Sequence, residues 1–249
     1  MTDARGVRRS RSEEEEESYF VSMADMMVGL LFIFVILVLY FALQFRQTTS
    51  TLTGAAEARA ELLKTLERDL KARGLRVSID TRTGVLRLPD DVLFQTGEYE
   101  LSNRGRGAVR IVADELARVL PCYADVEPGG LRCPPERKRS AQRIDSIFIE
   151  GHTDKNPLTG GGPVASNLDL SALRATRTFK AMMDSRSDLR SLVSVDEGTR
   201  VPIFGVSGYG ESRPSSADDS HNRRIDLRFL MVTPQGAEDA ALSSALVKR

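Results

Sequence analysis

The stretch IFIEGHTD occupies residues 147–154, and SNLDLSALRA follows it at residues 166–175. The apolar alternation in and before the first stretch predicts a β-strand over residues 146–150. In the second stretch, Ser171 is a residue type that commonly caps helices, and side chains suited to one buried helix face follow it. These are Ala172, Ala175, Thr176, Phe179 and Met183. The two stretches therefore predict a strand, a loop and a helix that begins near Ser171.

Further elements are predicted on both sides of this strand and helix. Alternating apolar residues indicate a strand pair about a Thr-Arg-Thr-Gly turn, and helical spacing indicates an additional helix. The predicted strands cover residues 75–80, 85–88, 202–208 and 224–232, and the helix covers residues 103–120. The order β-α-β-α-β-β, preceded by the strand pair, indicates an α+β sandwich with its helices on one face. We expect this domain to span residues 75–232, and we expect a flexible polar tail at 233–249.

A long apolar run, YFVSMADMMVGLLFIFVILVLYFALQF, covers residues 19–45 and contains one charged residue, Asp25. Roughly 20 to 25 helical residues are needed to cross the ~30 Å hydrocarbon core of a bilayer, so the run predicts a single transmembrane helix. It is longer than the apolar region of a usual signal peptide and no A-x-A cleavage site follows it, which favours an uncleaved anchor.

The arginines beside the apolar run predict its orientation. Arg5, Arg8, Arg9 and Arg11 precede the run, whereas its far side opens with Arg46 and a polar stretch. Positively charged flanks stay in the cytoplasm, so we expect residues 1–18 to be a cytoplasmic tail. The remainder of the chain is then expected on the far side of the membrane, in an oxidising compartment such as a periplasm.

Residues 46–74 connect the apolar run to the predicted domain. Their second part contains good helix formers, with Leu62, Leu66 and Leu70 at helical spacing and Gly74 as a stop signal. This pattern predicts a stalk helix. Its apolar stripe could pair with a second copy of the chain or pack back on its own domain.

The chain has two cysteines, Cys122 and Cys133, in a segment rich in proline and glycine. Because an oxidising periplasm favours disulfides, we predict a bond between them. Zinc is the alternative, but no C-x-x-C pair occurs, and His152 and His221 lack the spacing of zinc ligands. We therefore expect no metal site.

Charge and side-chain chemistry argue against other classes of function. The chain has 35 Lys and Arg residues against 35 Asp and Glu residues, which gives no case for direct nucleic-acid binding. The two histidines lie in turn-like segments without an organised serine or cysteine partner, so no nucleophile and base pair is predicted. We expect a protein that is not an enzyme and carries no cofactor.

Four motifs in fixed order resemble the OmpA-like peptidoglycan-binding domain: G-H-T-D, N-x-x-L-S-x-x-R-A, G-Y-G-E and N-R-R. The resemblance implies a βαβαββ sandwich that binds peptidoglycan through Asp154, Asn167, Leu170 and Arg174. The diaminopimelate of wall peptides presents an ammonium and a carboxylate together, and Asp154 with Arg174 could supply the opposite charges. The alternative is that these two residues form only a structural ion pair. Among the N-R-R residues, we expect Arg223 and Arg224 to act in structure first.

Asp25 gives the apolar run a second implication. A carboxylate in a membrane helix costs about 2.5 to 3.5 kcal/mol on insertion scales, so it usually serves a function. The sequence around it, SMADMMVGLLFIF, followed by an OmpA-like domain, resembles MotB-type B subunits of ion-driven stators. Within that family it is more similar to ZorB of the Zorya anti-phage system than to flagellar stators.

The resemblance implies a homodimer whose helices stand inside a pentamer of MotA-like or ZorA-like membrane subunits, with Asp25 binding the translocated proton or sodium ion. Proton use is favoured, because the neighbours of Asp25 offer few oxygen ligands for sodium. A flagellar-type motility stator and a passive tether between membrane and wall remain the alternatives.

Overall fold

The computed structural model describes residues 4–95, 97–156, 164–196, 198–216 and 218–232. The predicted tail at 233–249 lies outside these residues. The chain divides into two compact units, Met1–Thr51 and Leu52–Arg249. The first unit is helical throughout its described length and belongs to helix α1, Ala4–Ala72. Within it, Met23–Arg46 is long and apolar enough to cross a membrane, with a mean hydropathy of 2.9.

The second unit has the predicted α+β architecture, built on a five-stranded sheet. Its strands are β1 Ser78–Asp80, β2 Val85–Pro89, β4 Ile144–His152, β7 Phe204–Gly208 and β8 Arg224–Met231. Their order is β1-β2-β8-β4-β7, with β4 and β7 parallel and the other pairs antiparallel. The helices are α2 Asp90–Leu93, α3 Asn103–Val119 and α4 Asn167–Ser185, together with the end of α1.

A second, three-stranded sheet was not predicted. It consists of β3 Asp125–Val126, β5 Leu192–Asp196 and β6 Thr199–Pro202, in the order β3-β5-β6. All four residues of β6 are exposed, so the segment carries no buried alternation for sequence analysis to detect.

The two faces of the main sheet differ in character because side chains alternate along each strand. Ile147, Ile149, Leu227 and Phe229 are fully buried in the hydrophobic core with residues of α3 and α4. The opposite face carries charged side chains. The core also contains four residues of α1, each with 0% exposure: Leu62, Leu63, Leu66 and Leu70. Of the two alternatives for the stalk helix, the structure shows packing on its own domain.

Helix α4 begins earlier than predicted. Ser166 is its N-cap, and the Ser166 hydroxyl accepts a hydrogen bond from the Asp169 amide at 3.2 Å. The prediction of a start near Ser171 was wrong. Ser166 is followed three residues later by the acidic Asp169, as in a capping box, whereas Ser171 is followed at that spacing by Arg174. Ser171 lies inside the helix, where its hydroxyl donates to the Leu168 carbonyl and accepts from the Gly210 amide.

Candidate functional site

Asp154 follows the end of β4 and is largely buried. Its Oδ2 accepts a hydrogen bond from Arg223 Nη1 at 2.7 Å, and its Oδ1 accepts one from the Asn156 amide at 3.1 Å. Burial alone would raise the pKa of Asp154, but the bonds from Arg223 and Asn156 outweigh it and lower the pKa below its usual value. The carboxylate is therefore held in its ionised form.

Asn167 and Leu170 lie in the first turns of α4, and Asn167 contacts the backbone of Asp154. Asn167 Nδ2 donates to the Asp154 carbonyl at 3.3 Å and to the Asn156 carbonyl at 3.1 Å, so Asn167 holds the backbone of residues 154–156 that follow β4. Leu170 is 4% exposed and lies in the interior of the domain. Contact of either residue with a wall peptide remains a prediction.

Arg174 occupies a different environment from the one expected. Its side chain is 2% exposed, and its Nη1 lies 3.0 Å from Asp90 Oδ1. Its Nε donates to the Glu98 carbonyl at 2.8 Å, and its guanidinium lies 5.0 Å from the centre of the Phe94 ring. Burial lowers the pKa of Arg174 and raises that of Asp90 to about 6. Arg174 is thus an interior cation that joins α4 to the segment after β2.

The alternative that Asp154 and Arg174 form a structural ion pair with each other is wrong in this geometry, and their joint binding of a wall peptide stays a prediction. Each residue has a separate partner, Arg223 for Asp154 and Asp90 for Arg174. Asp90 was missed because its pairing with Arg174 is a long-range contact that no local spacing reveals. Arg223 was identified through the N-R-R motif and assigned to structure, which agrees with its bond to Asp154.

A second polar cluster lies on the charged face of the sheet. Glu150, His152 and Asp226 are each 1% exposed. Arg228 donates to both oxygens of Glu150 at 2.8 Å, and Arg224 Nε donates to Asp226 Oδ2 at 3.0 Å. Burial alone would raise the pKa of Glu150, but the His152 ring and the Arg228 bonds lower it to about 2.

This cluster has the residue types of a metal site, since one ligand atom from each of Glu150, His152 and Asp226 lies within 4.8 Å of the others. The arrangement does not suit a divalent cation. Both carboxylates are already held by arginines, and a metal would place two further positive charges against Arg224 and Arg228. We assign the cluster to a structural ion network that joins β4 to β8.

The predicted disulfide between Cys122 and Cys133 is present, with the two Cα atoms 4.7 Å apart. Cys122 ends the 3₁₀ turn Leu120–Cys122 that follows α3 and is 1% exposed. The bond therefore anchors the Pro- and Gly-rich segment to the end of a core helix.

Asp25 lies near the start of the apolar span Met23–Arg46, and its side chain is exposed in the single chain. The large apolar residues of the span are exposed in the same way, from Val35 at 43% to Phe45 at 75%. A surface of this composition is suited to lipid or to other membrane helices.

Comparison with known proteins adds to this description. No protein-family model matches the chain. The chain is 23% identical over 243 residues to the Zorya protein ZorB of Escherichia coli O139:H28, covering 96% of this chain and 91% of ZorB. It is 26% identical over 191 residues to Motility protein B of Escherichia coli K12, covering 74% of this chain and 51% of that protein.

Among solved structures, the periplasmic domain of Helicobacter pylori MotB (residues 78-256) matches with a TM-score of 0.43 and 17% identity, covering 65% of this chain and 84% of that chain. The match to ZorB extends over both compact units of the protein. Together with the four motifs in order, the sequence matches show that the chain is similar to MotB-type proteins, and to ZorB along almost its whole length.

Proposed function

We propose that this protein is the peptidoglycan-anchored B subunit of an ion-driven, stator-type complex in the bacterial inner membrane. The observation that carries the proposal is the similarity to ZorB over 96% of the chain, which includes both the apolar span with Asp25 and the domain with Asp154. One chain thus combines a membrane carboxylate with a wall-binding type of domain.

The periplasmic domain is the anchor in this proposal. Asp154 provides an ionised carboxylate at the end of β4, and its lowered pKa keeps the negative charge at neutral pH. Such a group suits the ammonium of diaminopimelate, since charge-assisted hydrogen bonds are the stronger ones. Asn167 holds the backbone of Asp154, so this carboxylate is held in position before a ligand arrives.

The membrane unit is the ion-handling part. Asp25 is followed by 20 residues without a charge, up to Arg46, and a carboxylate in such a span carries an insertion cost of about 2.5 to 3.5 kcal/mol. We propose that Asp25 binds and releases a proton, and that a MotA-like or ZorA-like ring of membrane subunits surrounds two such helices. With the N-terminus in the cytoplasm, as the flanking arginines favour, the anchor faces the wall.

The cellular role we favour is anti-phage defence of the Zorya type. The match to ZorB covers nearly all of both chains, whereas the match to Motility protein B spans about half the length of that relative. A flagellar-type motility stator is the second candidate within the same mechanism.

Replacement of Asp25 separates the ion-driven complex from a passive tether. In cells that carry the partner subunit, Asp25→Asn should abolish activity at unchanged membrane abundance, because the amide cannot bind and release a proton. Asp25→Glu should retain part of the activity, since it keeps a titratable carboxylate. Full activity of the Asp25→Asn protein would contradict ion coupling and leave the tether.

A further inference from the structure

We propose that Cys133 is a site of thiol exchange, at which a negatively charged thiol opens the Cys122–Cys133 disulfide and loosens the chain segment that contacts the stalk helix. The disulfide borders a groove with a volume of about 420 Å³, which lies between the segment around Cys133 and the second sheet. Cys133 lines this groove, and Cys122 is not among its lining residues.

The two sulfurs of the disulfide differ in their access to solvent. Cys122 is 1% exposed and lies at the end of a core helix, whereas Cys133 is partly exposed at the groove. The sulfur that a thiol attacks in an exchange reaction depends on access. A thiol that arrives from solvent therefore reacts at Cys133 and leaves Cys122 as the displaced sulfur.

The groove is positively charged where Cys133 lines it. Three arginines lie along it, Arg132, Arg139 and Arg200, against one carboxylate, Asp125. Arg132 is exposed, and the side chains of Arg139 and Arg200 are 54% and 50% exposed. The attacking species in thiol exchange is the thiolate, and a cleft of one charge sign concentrates ligands of the opposite sign. The groove thus favours a thiol that carries further negative charge.

The exchange is balanced without an added oxidant or reductant. The thiolate sulfur of the incoming molecule forms a bond to Cys133 Sγ, and the bond between Cys133 and Cys122 breaks. The electron pair of the broken bond leaves on Cys122 Sγ, which then takes up a proton from water. The products are a mixed disulfide on Cys133 and a free thiol on Cys122.

The disulfide fixes one end of a short segment that contacts the stalk helix. Both ends of this segment are attached to Cys122, Cys133 through the disulfide and Ser140 through its amide, which donates to the Cys122 carbonyl at 2.9 Å. Between these ends, Arg137 Nη2 lies 3.0 Å from Asp69 Oδ2 of α1, and both side chains are largely buried. After exchange the attachment at Ser140 remains, and Arg137 is held opposite Asp69 from one side only.

The stalk helix keeps its other contacts when the disulfide opens. Arg118 Nη2 lies 2.9 Å from Asp69 Oδ2, and Leu66 and Leu70 are fully buried in the core. We therefore expect a local loosening of the segment after Cys133, with the stalk helix still packed on the domain.

The site of exchange is tested with reduced glutathione, an anionic thiol, on the detergent-solubilised full chain. After an acid quench, free thiols are alkylated and the peptides are identified by mass spectrometry. Glutathione should be found on Cys133 and the alkyl group on Cys122. Glutathione on Cys122 to a similar extent, or no adduct on either residue, would overturn the inference.

The charge of the groove is tested with two thiols of opposite charge at low ionic strength. Arg132→Gln combined with Arg139→Gln should slow the reaction with glutathione about five-fold and should accelerate the reaction with cysteamine, whose ammonium the arginines repel. Arg76→Gln removes an exposed arginine outside the groove and should change neither rate. Equal effects of the double variant on both thiols would contradict selection of an anionic thiol.

The loosening is measured by hydrogen exchange of the full chain before and after reaction with glutathione. In the closed form the Arg137 amide donates to the Pro134 carbonyl at 2.9 Å. Exchange of this amide should be about ten-fold faster in the thiolated chain, while that of the amides around Leu66 should stay unchanged. Unchanged exchange at Arg137 would show that the disulfide does not hold this segment, and faster exchange around Leu66 would contradict a local effect.

Discussion

Arg223 Nη1 donates to Asp154 Oδ2 at 2.7 Å across 69 positions of sequence, and Arg174 is paired with Asp90 instead. The two pairs differ in burial, since the Arg223 side chain is 39% exposed and that of Arg174 is 2% exposed. Removal of one partner of a buried pair leaves an uncompensated charge, whereas an exposed arginine is partly replaced by water.

Arg174→Ala should therefore lower the free energy of unfolding by about 3 to 5 kcal/mol, because it strands the Asp90 carboxyl in the interior. Arg223→Ala should cost about 1 kcal/mol or less. Thermal unfolding of the full chain in detergent, followed by circular dichroism, compares the two variants. Equal destabilisation would show that the assignment of Arg174 to the interior and Arg223 to the surface is wrong.

The Glu150 network predicts a loss of stability in acid. Burial by itself raises the pKa of Glu150, but His152 and Arg228 lower it to about 2 from 4.5. Since His152 Nε2 is 3.9 Å away, too far for a hydrogen bond, Arg228 is the direct partner. A carboxyl group whose pKa is lower in the folded state than in the unfolded state stabilises the fold at pH values above its unfolded-state pKa. This stabilisation is lost as the pH falls through the folded-state pKa.

The melting temperature should accordingly fall between pH of about 4.5 and 2, and Glu150→Gln should be less stable at pH 7 with a shallower acid dependence. Asp90, whose pKa is raised to about 6, has the opposite effect, because its protonation stabilises the fold as the pH falls below that value. This contribution is the same in the unmodified chain and in Glu150→Gln. Melting curves of both proteins across this pH range check the prediction, and parallel curves would contradict it.

The disulfide should stabilise the segment after α3. The bond joins Cys133 to the buried Cys122 and closes a loop with a sequence separation of 11. Cys133→Ser should lower the free energy of unfolding by about 2 kcal/mol, the lower part of the usual range, because the loop is short. Reductant should lower the melting temperature of the unmodified chain and leave that of the variant unchanged. If reductant lowered both melting temperatures, its effect would not come from this disulfide.

Two glycines offer a matched test of the packing between β7 and α4. A Cβ added at Gly208 would lie 2.7 Å from the Cα of Ala172, whereas one added at Gly107 in α3 would meet nothing within 4 Å. Gly208→Ala should destabilise by about 1 to 3 kcal/mol through overpacking. Gly107→Ala should stabilise by up to about 1 kcal/mol, since alanine favours helix. The melting temperature of Gly107→Ala should be higher than that of Gly208→Ala. The reverse order would contradict the close approach of β7 to α4.

The strands of the main sheet, helix α3 and the disulfide were predictable, because local alternation, helical spacing and compartment chemistry carry their signals. The start of α4 was misplaced because Ser166 and Ser171 are both acceptable caps, and only the capping partner Asp169 distinguishes them. The partners of Asp154 and Arg174 were not predictable in the same way. Each pair joins residues that are far apart in sequence. From the sequence alone, Arg174 could equally well belong to a ligand site or to a buried ion pair.

The central claim, that this domain anchors the chain to peptidoglycan at Asp154, is tested most directly by co-sedimentation of the detergent-solubilised full chain with isolated sacculi. The unmodified chain should sediment with sacculi and Asp154→Ala should remain in solution, with both proteins folded. Asp145→Ala, an exposed aspartate near the other end of β4, is the matched control and should sediment normally. Sedimentation of Asp154→Ala to the same extent as the unmodified chain would contradict the account.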